Sequence, residues 1–128
     1  MNNPTPSRKL FWTGSVISGV LGLLFIASAA AKVLVPPDPR LGDMGLSVSM
    51  LVPLAILEAL CAFIYLVPRT SLLGAVLLTG YMGGAIMTHW RVGDPFIIQT
   101  ALGVLVWLGL YLREPSLWPL LPWRRSAG

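Results

Sequence analysis

Few residues in this sequence could do chemistry, and one of them sits where it is costly to keep. Glu58 lies in Leu54-Ala-Ile-Leu-Glu-Ala-Leu60, the one carboxylate of five that interrupts an apolar run. In a bilayer an ionised carboxylate at such a depth costs roughly 3 kcal/mol. It must therefore face other protein. Its neighbours at helical spacing are Leu54, Ala55, Cys61 and Ala62, with Tyr65 a turn further on. Cys61 and Tyr65 are each able to donate a hydrogen bond towards it. Glu58 is then either a tie between two helices or a group that carries a proton or binds a ligand.

Lys32 and His89 close two other apolar runs, and Arg91 and Asp94 follow His89 directly. If these run ends share one face of a bundle, Lys32, His89, Arg91 and Asp94 converge there. Tyr81 lies about two turns below His89 and Glu58 lies deeper. Lys32 can reach down towards Glu58, but a rim-to-midplane gap of roughly 10–15 Å, at 1.5 Å per residue, leaves a direct pair between them open. Histidine accepts a proton near neutral pH. Glu58 and His89 are thus the candidate proton carriers, and Lys32, Glu58, Tyr81, His89, Arg91 and Asp94 form the candidate binding set. The same spacing fits an ordinary charged rim with a snorkelling lysine.

Composition removes several other chemistries. A single cysteine, Cys61, allows no internal disulfide and no CxxC pair. One histidine, His89, cannot provide bis-histidine haem ligation within the chain. Five carboxylates, four of them outside the apolar runs, leave too few ligands for a buried di-metal centre, so no metal site is expected. The net charge of +4 comes from basic residues scattered singly or in pairs, which excludes a nucleic-acid surface.

The elements that must position these residues are membrane helices. The 128 residues are 55% hydrophobic and 11% charged, against about 25% charged in soluble domains. Apolar runs predict four spans, at about residues 10–32, 46–67, 71–90 and 96–112. Each approaches the 20 or so residues that cross a hydrocarbon core. Pro36-Pro37, Pro68-Arg69-Thr70 and Arg91-Val92-Gly93-Asp94-Pro95 separate them. The turns after the second and third spans are so short that neighbouring spans must be antiparallel. The expected fold is an all-α membrane protein, an up-down-up-down bundle of four transmembrane helices over residues 1–112. Residues 113–128, with Pro115, Pro119, Pro122, Trp118 and Trp123, read as an interfacial cytoplasmic tail.

An even number of spans puts both termini on one side. That side carries Arg8, Lys9, Arg69, Arg113, Arg124 and Arg125, and the other Lys32, Arg40 and Arg91. The positive-inside rule therefore predicts cytoplasmic termini and an inner-membrane location. Ala27-Ser28-Ala29 resembles a leader cleavage site, but the apolar run is longer than the usual 7–15 or so residues, so the first span is expected to be retained. Gly80 and Gly84 form a GxxxG pair that predicts a close helix contact, within the bundle or between protomers.

Three segments carry a family resemblance. Gly22-Leu-Leu-Phe-Ile-Ala-Ser-Ala-Ala-Ala-Lys32 resembles the first helix of the DoxX-like membrane proteins. Glu58 matches the acidic residue of their second helix, and His89-Trp-Arg-Val-Gly-Asp-Pro95 is close to their commonest motif. The resemblance covers roughly residues 11–112, leaving the tail outside it. It implies a four-helix membrane bundle and a link to quinone-dependent redox complexes, because the family is named for a subunit associated with thiosulfate:quinone oxidoreduction. The expected role is an accessory subunit of such a complex, with no intrinsic cofactor; if a quinone is the ligand, Tyr81 or Tyr65 can orient its carbonyl while a partner supplies the electrons. A structural or assembly subunit, as a homo-oligomer or within a larger complex, fits the same features. A small proton-coupled exporter fits less well: such exporters carry their glutamate in the first helix, and the first span here has no acid.

Overall fold

A computed structural model of the protein describes residues 7–122, so Trp123, Arg124 and Arg125 of the expected tail lie outside the described residues. The described residues form four α-helices: α1 (Arg8–Leu34), α2 (Leu51–Leu66), α3 (Ser71–Arg91) and α4 (Ile97–Arg113). Single 3-10 turns at Val48–Met50, Pro68–Thr70 and Pro115–Leu117 complete the regular structure, and no strand occurs among the described residues. The segments Arg8–Leu34, Val48–Leu66 and Pro68–Arg91 are long and apolar enough to cross a membrane. Ile97–Arg113 is apolar but shorter, at 17 residues.

Local chemistry explains the boundaries. Ser7 opens α1 by accepting from the backbone N–H of Leu10 at 3.2 Å. The helix stops at Val35 because Pro36 disfavours a helical conformation in the residue before it. Pro53 falls in the first turn of α2, where its missing N–H leaves no bond unmade. The α2–α3 corner is closed by side chains. Thr70 Oγ1 donates to the Ile64 carbonyl at 2.7 Å and Ser71 Oγ to that of Val67 at 2.9 Å, satisfying carbonyls that the end of α2 leaves free.

Helix α1 packs on α2 and α4, and α3 packs on the same two, while the diagonal pairs keep their backbones apart and meet only through long side chains such as Tyr65 of α2 and Arg113 of α4. Contacts along each interface run in opposite directions. Ser18 meets Tyr65 whereas Lys32 meets Glu58, and Thr79 meets Trp107 whereas His89 meets Gln99. The result is the expected up-down-up-down ring. Its two ends are called here the base, where α1 and α3 begin, and the mouth, where they end.

The base is dense. Tyr65, Leu78, Val106 and Leu110 are almost wholly buried, and Ser18 with them. Close backbone approach makes this possible. A Cβ on Gly74 would collide with the backbone of Tyr65, and one on Gly109 would lie 2.8 Å from Ser18 Oγ and 3.0 Å from the Tyr65 hydroxyl. Glycine is the one residue that lets helices approach this far. The predicted contact at Gly80 and Gly84 is absent within the bundle: a Cβ at either position meets nothing within 4 Å. The glycine spacing marked a bare strip of α3, and the helix contacts are made by Gly14, Gly22, Gly74 and Gly109 instead.

Candidate functional site

Towards the mouth the helices part, and a cavity of about 890 Å³ lies between them. Leu24, Phe25, Leu54, Leu57, Leu77 and Leu102 are among the residues of its apolar wall. Residues 35–46 fold across the mouth end, with Val35, Pro36, Leu41 and Met44 on the lining. Leu41 and Met44 are buried, so this segment is a lid packed on the cavity by its own apolar side chains.

Three helices bring polar groups to one wall. Lys32 of α1 forms an ion pair with Glu58 of α2, and Tyr81 of α3 donates its hydroxyl to the same Glu58 oxygen at 3.2 Å. Lys32 also donates to Ser28 Oγ at 3.1 Å, and its ammonium lies 5.7 Å from the centre of the Tyr81 ring. Glu58 is 1% exposed, whereas the Lys32 side chain remains 23% exposed. The pairing follows from where α2 starts. The run from Leu46 suggested a deep Glu58, but residues before Val48 belong to the lid. Glu58 lies seven residues into α2, about 10 Å from its start. A lysine two residues short of the end of α1 spans what remains.

The expected donors from α2 are not the ones used. Tyr65 is turned to the base, where its hydroxyl donates to the Val106 carbonyl at 2.7 Å. With that proton committed, Ser18 Oγ donates to the Tyr65 oxygen at 3.0 Å. Arg113 donates to the Tyr65 carbonyl at 3.1 Å and stacks its guanidinium 5.3 Å from the ring centre. Cys61 is buried on the cavity lining, and Glu58 takes its bonds across helices, from Lys32 and Tyr81. One helix turn separates Tyr65 from the Cys61 level, enough to move its hydroxyl to another layer.

His89 lies on the second polar wall. Its Nδ1 is 2.8 Å from the Ala85 carbonyl, so Nδ1 carries a proton and donates. Nε2 of the neutral ring is then an acceptor, facing the Gln99 amide nitrogen at 3.4 Å. That orientation leaves Gln99 Oε1 buried without a partner. Sequence reasoning passed over Gln99, although it is the one amide side chain in any span.

The predicted convergence divides into two groups. Lys32, Glu58, Tyr81 and His89 line the cavity. Arg91 and Asp94 are not on its lining and bind the lid instead. Arg40 donates to Asp94 at 2.9 Å and to Asp38 at 3.2 Å, and the Arg91 guanidinium packs over Gly45. Through its hydrogen bonds, Arg40 holds the Asp38 carboxyl below its usual range. Asp94, and then Asp38, raise the Arg40 guanidinium in turn. Arg40 carried no assigned role in the sequence, because a loop has no period from which to read its partners. Among the described residues, no three His, Cys, Asp or Glu side chains gather as a metal site would require.

This arrangement of an intramembrane lysine, glutamate and tyrosine beneath a His-Trp-Arg-Val-Gly-Asp-Pro turn sits within a segment that one family model describes. The model of the DoxX-like family matches residues 16–112. The chain belongs to the DoxX-like family. No curated relative and no solved structure matches it. As a DoxX-like protein with three helices long and apolar enough to span, it is a multi-pass membrane protein. The matched segment takes in all four helices except the first two turns of α1 and the last residue of α4, and it ends before Pro115.

Proposed function

We propose that the cavity receives the head group of a membrane quinone and that the protein is an accessory subunit of a quinone-linked membrane redox complex. One observation carries this reading: a largely apolar cavity, within the size range of small-molecule sites, with two polar walls contributed by all four helices. Lys32 commits two of its three N–H donors to Ser28 and Glu58, leaving one for a ligand oxygen. Tyr81 orients that pair, and Glu58 and His89 stand as the groups that exchange protons with the ligand. A quinone supplies two-electron chemistry that takes up two protons, with electrons delivered by a redox partner. The excess of basic residues at the base favours an orientation with both termini cytoplasmic in the inner membrane, which turns the mouth outwards.

A second reading has its own observation. The Lys32–Glu58–Tyr81 cluster ties α1, α2 and α3 together, as a purely structural or assembly subunit would need. The paired variant Lys32→Met with Glu58→Gln separates the two, because it removes the charges without leaving either one unpaired. The quinone reading expects normal assembly and quinone-linked activity in membranes lowered by about tenfold or more, in the range of a lost acid–base group. The structural reading expects assembly itself to fail; full activity with normal assembly would overturn both roles for the pair.

A further inference from the structure

The cavity has a polar end, and its far wall is bare. Gly80 and Gly84 line it, both are exposed, and beyond their own helix's backbone and chain neighbours no atom lies within 4 Å of where their Cβ atoms would stand. They flank Tyr81, whose hydroxyl reaches Glu58, so this strip begins at the polar cluster itself. Across from them stand Leu54 and Leu57 of α2, and Leu57 is half exposed. At the base α2 and α3 are held backbone to backbone at Gly74 and Tyr65; towards the mouth that closeness is gone. The α1 wall of the cavity also reaches the surface, at Leu24 and Ala31, but it carries side chains.

We infer that the bare strip between α2 and α3 is a slot through which a single apolar tail passes from the cavity into the bilayer. The ligand is then a one-tailed amphiphile, held by its head at Lys32, Glu58 and Tyr81 and entering sideways from the membrane. The inference deepens the quinone reading and rests on it for the head group, while the slot stands on the glycines and the cavity. Gly80 and Gly84 set specificity by what they lack. A side chain there fills the tail's path without touching the head-group wall. Gly83 is open too but belongs to a different groove, between α3 and α4 with Trp107. It provides the control position.

The test compares a benzoquinone bearing a decyl tail with the same head group lacking a tail. Binding is measured to the full-length protein in phosphatidylcholine vesicles, with monodecanoyl glycerol as a tail on a different head. Gly84→Leu is expected to weaken the tailed quinone by about tenfold or more, since an overfilled channel excludes its occupant, and to leave the tailless one unchanged. Gly83→Leu is expected to change neither. If Gly84→Leu does not fold, Gly84→Ala is read for a smaller loss of the same selectivity. A variant that weakens both quinones equally, or neither, overturns the slot and leaves the quinone reading standing. If the unaltered protein binds neither quinone, the quinone reading falls. The slot then survives only if monodecanoyl glycerol binds and Gly84→Leu abolishes that binding.

Discussion

The two ends of this bundle solve opposite problems with the same residue types. At the base, glycines bring backbones into contact, and a serine and an arginine both donate to one tyrosine in a largely buried layer. At the mouth, glycines face empty space, and a tyrosine, a serine and a lysine surround a glutamate beside a cavity. The difference lies in how far the helices have separated. Lipid tails are as apolar as leucine, so helix association in a membrane depends on close packing and hydrogen bonds. The base supplies both and so can hold the ring closed, which lets the mouth stay hollow.

The largest expected contrast comes from one substitution made at each end. Gly74→Ala drives a methyl group into the Tyr65 backbone and should cost more than about 3 kcal/mol, at or beyond the upper range for overpacking. Gly80→Ala meets nothing and should be neutral or stabilising by up to about 1 kcal/mol, from helix propensity. Thermal unfolding in detergent, followed by circular dichroism, measures both. Equal losses would show that the mouth is packed as tightly as the base.

A smaller effect belongs to the mouth's ion pair. Glu58→Gln alone strands the Lys32 ammonium beside a cavity. It should cost about 2–4 kcal/mol, towards the lower value because Lys32 is partly exposed and so partly screened. Adding Lys32→Met should recover most of that loss. A double-mutant cycle that shows no coupling would mean the pair contributes nothing to holding α1 against α2. Smaller again is the tyrosine comparison. Tyr65→Phe takes from buried Ser18 its cross-helix partner and from the Val106 carbonyl its second bond, beyond the helical one, and should cost about 1–3 kcal/mol. Tyr81→Phe removes one bond to a glutamate that keeps its lysine, and should cost about 1 kcal/mol or less.

How much of this was legible depended on whether a feature repeats. Apolar runs and proline turns have length and period, so four antiparallel helices could be read directly, with boundaries displaced by at most two residues except at the start of α2, which lies five residues later than expected. The cost of a charge in hydrocarbon turned Glu58 inwards without any knowledge of its partner. What a helix face meets is another matter. Gly80 and Gly84 have the spacing of a contact, yet nothing in that spacing says whether a neighbour is present. Leu46 is apolar and so extends the second run, although it belongs to the lid, and the extra length places Glu58 deeper below Lys32 than it lies. Tyr65 and Tyr81 are indistinguishable by type; their layers differ only once the helices are placed. Gln99 had a signal, as the lone amide in a span, that went unused.

The smallest expected effect lies on the lid, which belongs to neither end's packing. Leu41 and Met44 hold it by burial, while Arg40 links it to the α3–α4 turn through Asp94 and steadies it through Asp38. These charges are exposed, so their attraction is screened by water and salt, and Asp94→Asn should leave the unfolding temperature almost unchanged. Its effect should appear as faster amide hydrogen exchange at Leu41, Met44 and Leu46, whose N–H groups bond within the lid. Acid should reproduce part of it. The Asp38 carboxyl is held below its ordinary value of 3.8, so its contribution is complete above that value and fades as pH falls through the lowered one. Below that point the attraction between Arg40 and Asp38 is lost, and exchange in the lid should rise while the base stays protected. Lid exchange that ignores both Asp94→Asn and acid would show that Leu41 and Met44 hold the lid alone.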